Sequence, residues 1–310
     1  MCIVTPIVIG VLASVSSVSC EGMEAMGNWQ KAASPAPWGN EYACPFVFNA
    51  GAFAFLENSS TMQIWYSENG FEWIDKSSLN DSLPGSIPKQ PVIFNDKLWI
   101  FTSSTIWVSD DGVNWNQEQY TTPPVSDGET ILFKNKLWIL GAKEPGTPSG
   151  QYQIWSSVNG YDWVLEKGEW GRLNFTTSLV YDCKIWRCGG SYYNADGLIA
   201  VSTVVSSENG VNWVGTTAPW SPRDNAAVLS FKGNLWVLGG STYEIFEFDY
   251  GDDTILYTDN GTDWCSLQGP DEWHHLSRSF AFSFLDKQWL VQDDYLTTHT
   301  VSLWYLDQTS

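Results

Sequence analysis

The sequence predicts an all-β chain folded as a six-bladed β-propeller. Each blade has four antiparallel strands, and an N-terminal strand closes the last one. Three observations predict this. One hairpin motif occurs five times and begins a sixth. A second, Trp-centred hairpin precedes each copy. The strand that the last unit lacks is found at the other end of the chain.

The first motif reads IWYSENGFEW (Ile64 to Trp73), IWVSDDGVNW (Ile106 to Trp115), IWSSVNGYDW (Ile154 to Trp163), VVSSENGVNW (Val204 to Trp213) and ILYTDNGTDW (Ile255 to Trp264). A sixth copy, LWYLDQTS, starts at Leu303 and stops with the chain. Counted at the second residue, the spacings are 42, 48, 50, 51 and 48. A fixed period of this length marks a repeat architecture. Each copy reads as strand, turn, strand, because an Asn-Gly or Asp-Gly pair between apolar runs is a strong hairpin signal. Both residues are expected at positive φ. Ser67, Ser109, Ser157, Ser207 and Thr258 stand where a hydroxyl can bond the turn, and each closing Trp is expected to stack on a neighbouring unit.

The second motif reads FNDKLWIF (Phe94 to Phe101), FKNKLWIL (Phe133 to Leu140), YDCKIWRC (Tyr181 to Cys188), FKGNLWVL (Phe231 to Leu238) and FLDKQWLV (Phe284 to Val291), with a degenerate first copy FNAGAFAF (Phe48 to Phe55). Two copies run on into Gly189-Gly190 and Gly239-Gly240. Each unit thus holds four short strands and cannot bury both faces of its sheet alone, so the units pack radially. The expected blades span about residues 41–76, 88–118, 128–167, 173–215, 224–267 and 278–310, within a single propeller from 21 to 310. The segment GNWQKAASPAPW (Gly27 to Trp38) resembles VNWVGTTAPW (Val211 to Trp220), so residues 27–32 are expected to supply the outer strand of the sixth blade. Pairing the two tails in one sheet removes an exposed edge.

Composition narrows the function. Fifteen Lys and Arg against 35 Asp and Glu leave a net charge of −20, which disfavours nucleic acid as a partner. Nineteen Trp in 310 residues demand a packed aromatic core. With only His274, His275 and His299, no His-rich metal site is expected, and no cofactor is expected.

Residues 1–20 contain an uncharged apolar stretch, Cys2 to Cys20, followed by small residues. It reads as a signal peptide cleaved near Ser19 to Glu21, and alternatively as a membrane anchor. The expected location is therefore secreted or extracellular, or membrane-anchored through this segment, with no other span. Asn58, Asn80, Asn174 and Asn260 begin N-x-[ST] tripeptides. Cys44, Cys183, Cys188 and Cys265 are irregularly spaced, and buried, unpaired thiols are the favoured reading.

The LWVLGG and IWRCGG strands, with the aromatic that follows each hairpin, make residues 27–310 resemble a kelch-type propeller of the galactose-oxidase central-domain sort. The first motif is also similar to the Asp-box of sialidases, but one residue shorter, as in Ser109 to Trp115. These resemblances imply the fold. Kelch propellers host enzymes, adaptors and lectin-like binders, so they do not imply one function.

Within such a blade the tight 1–2 and 3–4 turns share one face of the ring. The variable 2–3 loops, near 57–62, 102–105, 141–152, 189–203, 240–254 and 292–300, share the other, and binding is expected there. Near the start of each first strand stand Glu41, Lys89, Asp127, Arg172, Arg223 and Arg278. The arginines read either as a cationic patch at the channel mouth, holding an anion as arginines do in kelch adaptors, or as braces between blades. Trp38, Trp170, Trp220 and Trp273 in the exit loops read either as exposed sugar or peptide contacts or as seals of the inter-blade core. The acidic runs Glu247 to Asp253 and Asp293-Asp294 read as solvated loops, with a surface calcium site as the alternative.

No catalytic constellation stands out. Adjacent His274 and His275 point to opposite sides of an extended strand, which does not suit a copper centre of the galactose-oxidase type. A sialidase-like set from Arg172, Arg223, Arg278, Glu41 and Tyr42 or Tyr192 has no supporting motif. The sequence therefore favours a monomeric, non-catalytic binding propeller that recognises a protein or glycan, anionic or neutral, through its 2–3 loop face. A sialidase-like glycan hydrolase and an interaction scaffold are the alternatives.

Overall fold

The computed structural model describes residues 28–58, 61–77, 91–102, 105–119, 128–143, 152–170, 173, 176–194, 197–244, 247–249, 254–273, 276, 279–294 and 300–307. The leader at 1–20 lies outside the described residues, as do Asn80, Lys89, Asp127, Arg172, Asn174, His274, His275, Arg278 and His299. Among the described residues there is no α-helix, and so none long and apolar enough to cross a membrane.

The first strand among the described residues is β1 (Gln30–Ala33). The first blade is β2 (Ala43–Phe48), β3 (Gly51–Asn58), β4 (Thr61–Ser67) and β5 (Ile74–Asp75). The second is β6 (Val92–Phe94), β7 (Lys97–Phe101), β8 (Ile106–Ser109) and β9 (Asn116–Glu118). The third is β10 (Glu129–Phe133), β11 (Lys136–Lys143), β12 (Tyr152–Ser157) and β13 (Val164–Trp170). In the fourth, β14 (Thr177–Tyr181) and β15 (Lys184–Cys188) are followed by an inserted hairpin, β16 (Ser191–Asn194) and β17 (Gly197–Ala200), before β18 (Thr203–Ser207) and β19 (Val214–Thr217). The fifth repeats that plan with β20 (Ala227–Phe231), β21 (Asn234–Leu238), the hairpin β22 (Thr242–Glu244) and β23 (Glu247–Asp249), then β24 (Thr254–Thr258) and β25 (Cys265–Gln268). The sixth is β26 (Phe280–Phe284), β27 (Lys287–Asp294) and β28 (Thr300–Asp307), completed by β1.

The sheets form a six-bladed β-propeller. Its inner strands follow one another around the channel as β6, β10, β14, β20, β26 and β2. Closure is as the sequence predicts: β1 pairs antiparallel with β28, Gln30 opposite Tyr305 and Lys31 opposite Trp304. Six apolar clusters fill the six seams between blades.

Tryptophans from strand 2 and from the end of each hairpin hold the seams, with Phe53 in the strand-2 place of the first blade. The strand-2 Trp faces the next blade and donates its indole N–H to the carbonyl five residues earlier. Trp99 bonds Phe94 O (2.9 Å), Trp138 Phe133 O (3.1 Å), Trp186 Tyr181 O (3.0 Å), Trp236 Phe231 O (2.9 Å) and Trp289 Phe284 O (3.0 Å). The closing Trp faces the previous blade and bonds the turn glycine, as Trp163 does Gly160 O at 3.0 Å. Trp264 departs from this. Its ring packs edge-on to Trp220, with centroids 4.2 Å apart, and its N–H has no partner among the described residues.

The Asn-Gly and Asp-Gly turns are not the left-handed pairs that the sequence predicts. Only the glycine of each Asn-Gly or Asp-Gly pair has positive φ. The hydroxyl of Ser67 accepts from Gly70 N at 2.8 Å, and Asn69 Oδ1 accepts from Phe71 N and Glu72 N, both at 2.8 Å. The side chains thus close the loop, and Asn69 needs no left-handed backbone. The left-handed pairs lie instead in the 1–2 turns, Asn49-Ala50, Asn95-Asp96, Lys134-Asn135, Asp182-Cys183 and Leu285-Asp286, with Lys232 preceding Gly233 in the fifth blade. These are two-residue hairpins: Phe94 pairs directly with Lys97 and Phe133 with Lys136.

The cysteines divide into two kinds. Cys44 and Cys188 are buried free thiols, whereas Cys183 and Cys265 are disulfide-bonded, contrary to the unpaired reading. Burial pushes both free thiols up to about 12, with the Glu129 carboxylate adding to the shift at Cys188.

Candidate functional site

The two faces of the ring differ. The 1–2 turns are uniform two-residue connections. The 2–3 connections of blades 4 and 5 each carry an extra hairpin, and β17 packs beside β22. The crossing from blade 4 to blade 5 is threaded through the bases of these hairpins. Gly190 N donates to Arg223 O (2.8 Å), Arg223 N to Val201 O (3.1 Å), and Asp224 and Ser241 exchange backbone bonds of 2.9 and 2.8 Å. The double glycine lets the strand meet this crossing, since a Cβ on Gly189 would stand 2.4 Å from Arg223 O. In the next blade Gly240 N grips Leu276 O in the same way, at 2.8 Å.

Register separates the candidate arginines. Counting back from the aromatic that ends each first strand (Phe48, Phe94, Phe133, Tyr181, Phe231, Phe284), Glu41, Lys89, Asp127, Arg172, Arg223 and Arg278 lie 7, 5, 6, 9, 8 and 6 residues before it. The place of Arg223 in the fourth-to-fifth crossing is taken by Leu276 in the next crossing, where Gly240 N bonds Leu276 O as Gly190 N bonds Arg223 O. Arg223 itself is 1% exposed. Its guanidinium bonds Gly239 O (2.8 Å) and both oxygens of Ser221 (3.3 and 3.1 Å), inside the wall rather than at an open mouth. Glu41 is exposed just ahead of β2.

The exit-loop tryptophans Trp38, Trp220 and Trp273 are likewise inside, and the side chain of Trp170 lies outside the described residues. Trp273 is 1% exposed and packs against Trp29 and Trp304, with centroids 5.5 and 5.9 Å away. Trp220 lies in the seam between blades 4 and 5, and Trp38 in that between blades 6 and 1. Each ring buries more area in a seam than it could on the rim. Asp293 and Asp294 are buried members of β27 and not a solvated loop. No three His, Cys, Asp or Glu among the described residues are arranged to hold a metal ion.

Sequence reasoning passed over Arg187. It stands on β15 where the other blades carry Ala54, Ile100, Ile139, Val237 and Leu290. Burial lowers its pKa to about 10 against the opposing pull of Glu129, which stands 3.8 Å away across the seam between blades 3 and 4. Glu129 also accepts from Ser178 N at 2.6 Å and from the Ser178 hydroxyl, and Arg187 donates to Thr176 Oγ1. The signal was legible as a charge inside an otherwise aliphatic motif.

A cavity of about 460 Å³ occupies the channel and is lined by inner-strand residues that include Val47, Ile93, Leu132, Val180, Ala281 and Ser283. It carries no charged lining residue. The polar side chains in its lining are the hydroxyls of Thr130, Ser178 and Ser283, which suit an uncharged group.

Fold and faces together define the class: a six-bladed propeller with an elaborated loop face. A family model described as the DUF6242 beta propeller domain matches residues 27–127, which hold β1 and the first two blades. Among solved structures the chain is similar to one titled "Structure of YjhT", with a TM-score of 0.51 and 13% identity over 65% of this chain and 70% of that one. At that identity the likeness speaks for the fold alone. No curated protein matches the chain.

Proposed function

We propose that the protein is a secreted or surface-exposed, non-catalytic binding propeller of kelch type that engages a protein or glycan partner through its 2–3 loop face. The observation that supports this most is the pair of adjoining hairpins, β16–β17 and β22–β23, on that face. A rigid ring carrying irregular loops on one face suits recognition. The disulfide-bonded Cys183 and Cys265 fit an oxidising compartment. Arg223 is bonded within the wall, which counts against a sialidase-like arginine triad built on it. Glu41, Lys89, Arg172 and Arg278 remain candidate contacts around the mouth, whereas Trp220 and Trp273 are buried in seams.

The test is binding to glycan and extracellular-protein arrays by the full chain and by a variant whose β16–β17 hairpin is replaced by a short Gly-Ser turn. Loss of a specific signal with an unchanged melting temperature supports the reading. Turnover of a fluorogenic sialoside or glycoside, abolished by Arg223→Ala in a folded protein, would replace it with the hydrolase reading.

A further inference from the structure

The six seams are built to one plan, and one of them is left unfilled. Three positions close the outer part of each seam: the strand-3 residue beside the strand-2 Trp, the residue three after the closing Trp, and the residue after the turn glycine of the next blade. Between blades 1 and 2 the fillers are Tyr66 and Lys76, with the Lys76 ammonium 5.9 Å from the Tyr66 ring centre. Between blades 2 and 3, Tyr161 donates to Glu118. Between blades 3 and 4, Ser156 donates to Glu166 at 2.6 Å. Between blades 5 and 6, Tyr257 and Leu267 pack into one cluster. Between blades 6 and 1, Phe71 packs edge-on to Tyr305 at 5.2 Å.

Between blades 4 and 5 all three positions are short: Ser206, Thr216 and Thr262. A groove of about 460 Å³ results, on the tight-turn side of the ring and so away from the 2–3 loops. Trp186 forms its floor and Val214, 73% exposed, its outer wall. Lys184 and Glu208 pair across its rim at 3.2 Å and cancel in charge. Of its other polar groups, Thr262 Oγ1 donates to Asn260 Oδ1 at 2.9 Å, Thr216 Oγ1 to Thr217 O at 3.4 Å, and Asn209 Oδ1 accepts from Val211 N and Asn212 N at 3.0 and 2.8 Å. The Ser206 hydroxyl and the Asn212 side-chain amide have no hydrogen-bond partner among the described residues. Elsewhere the residue matching Asn212 locks to the turn residue, as Asn159 Nδ2 bonds Asp162 at 2.8 Å and Asn260 Nδ2 bonds Asp263 at 3.0 Å. Blade 4 has two amides at those places, Asn209 and Asn212, and no carboxylate.

We propose that this groove binds a neutral sugar residue, a pyranose either free or at the end of a glycan. The volume is within the range of small-ligand sites. An aromatic floor with a valine wall suits the C–H face of the ring. Hydroxyl and amide groups that both donate and accept suit its hydroxyls, and the self-neutralised rim makes no demand for ligand charge. This site does not rest on the loop-face reading.

The experiment fills the groove with residues the ring itself uses at those positions. Ser206→Tyr copies Tyr66 and Tyr257, and Thr216→Glu copies Glu118 and Glu166. Full-length protein is titrated with free glucose, galactose, mannose and N-acetylglucosamine by saturation-transfer NMR and calorimetry, and tested on a glycan array. Saturable binding of at least one pyranose, weakened by about tenfold or more in both variants, supports the site. Array binding in addition marks a chain-end ligand, and its absence a free sugar. If the filled variants do not fold, the exposed Asn212→Ala decides by the same measure. Failure of all four sugars to bind, or affinities unchanged in the folded variants, overturns the proposal.

Discussion

Gly70 of the first blade rests on the indole of Trp289 in the sixth: a Cβ there would come within 2.3 Å of the ring. The same contact joins Gly112 to Phe53, Gly160 to Trp99, Gly210 to Trp138 and Gly261 to Trp186. One geometric rule therefore serves five of the six seams, and Gly70 applies it where the last blade meets the first. The requirement is twofold, since Gly70 has φ of +82° as well as no room for a side chain.

Gly70→Ala should therefore cost roughly 2–4 kcal/mol, from left-handed strain plus overpacking. Gly233→Ala is the control, because its φ is +72° but nothing stands within 4 Å. It should cost about 1–2 kcal/mol from the backbone alone. Guanidinium denaturation midpoints measure the difference, and equal losses would show that the contact with Trp289 carries no energy.

Asp111 is the one carboxylate among the five turn-capping side chains; Asn69, Asn159, Asn209 and Asn260 do the same work elsewhere. Partial desolvation pushes its pKa up, but hydrogen bonds from Asn114, Val113 and Ser109 outweigh it and hold the carboxyl below its ordinary value. A folded-state pKa below the unfolded one stabilises the protein above the unfolded value, about 3.9, and that contribution is lost as pH falls through the folded value. Asp111→Asn should keep the turn at neutral pH and flatten the acid limb of stability against pH. Urea unfolding across an acid series checks this, and a limb as steep as the parent's would count against it.

The thiols offer a chemical check on burial. Cys44 and Cys188 sit in seams with pKa values pushed to about 12. In the native protein neither should be alkylated by iodoacetamide near neutral pH, and both should react in denaturant without reductant. Cys183 and Cys265 should react only after reduction. Peptide mass spectrometry reads each site separately, and native labelling of Cys188 would mean that the seam between blades 4 and 5 opens.

What could be read from the sequence was whatever repeats. The strand-2 Trp and the turn glycine recur because five seams need the same contact, so blade number, strand order and closure by β1 were legible. The turn type was not. Asn69-Gly70 carries the usual signal for a left-handed pair, but Ser67 and Asn69 satisfy the backbone through their side chains and make that conformation unnecessary. The candidate site was less legible still. The segments before each first strand differ in length, so the sequence could not show that Arg223 would turn into the wall and bond Gly239 and Ser221. Trp220 and Trp273, next to polar residues in sequence, are drawn into seams that only the ring creates. The groove over Trp186 was written in three short residues, but their meaning depends on knowing which side chains share a seam.

Arg187 and Glu129 test whether a seam needs its charges. The guanidinium is 4% exposed and the carboxylate 19%. Removing one partner leaves the other charge in a place built for aliphatic residues, so Arg187→Ala should cost about 3–5 kcal/mol. Replacing both with what other blades carry, Arg187→Ile after Ile139 and Glu129→Thr after Thr177, should recover most of that loss. Buried ion pairs are often matched by well-packed apolar substitutes. Thermal unfolding of the two variants and the parent gives the answer. If the double variant is as damaged as Arg187→Ala, the pair is needed in itself, and the bond from Glu129 to Ser178 becomes the contact that blades 3 and 4 cannot lose.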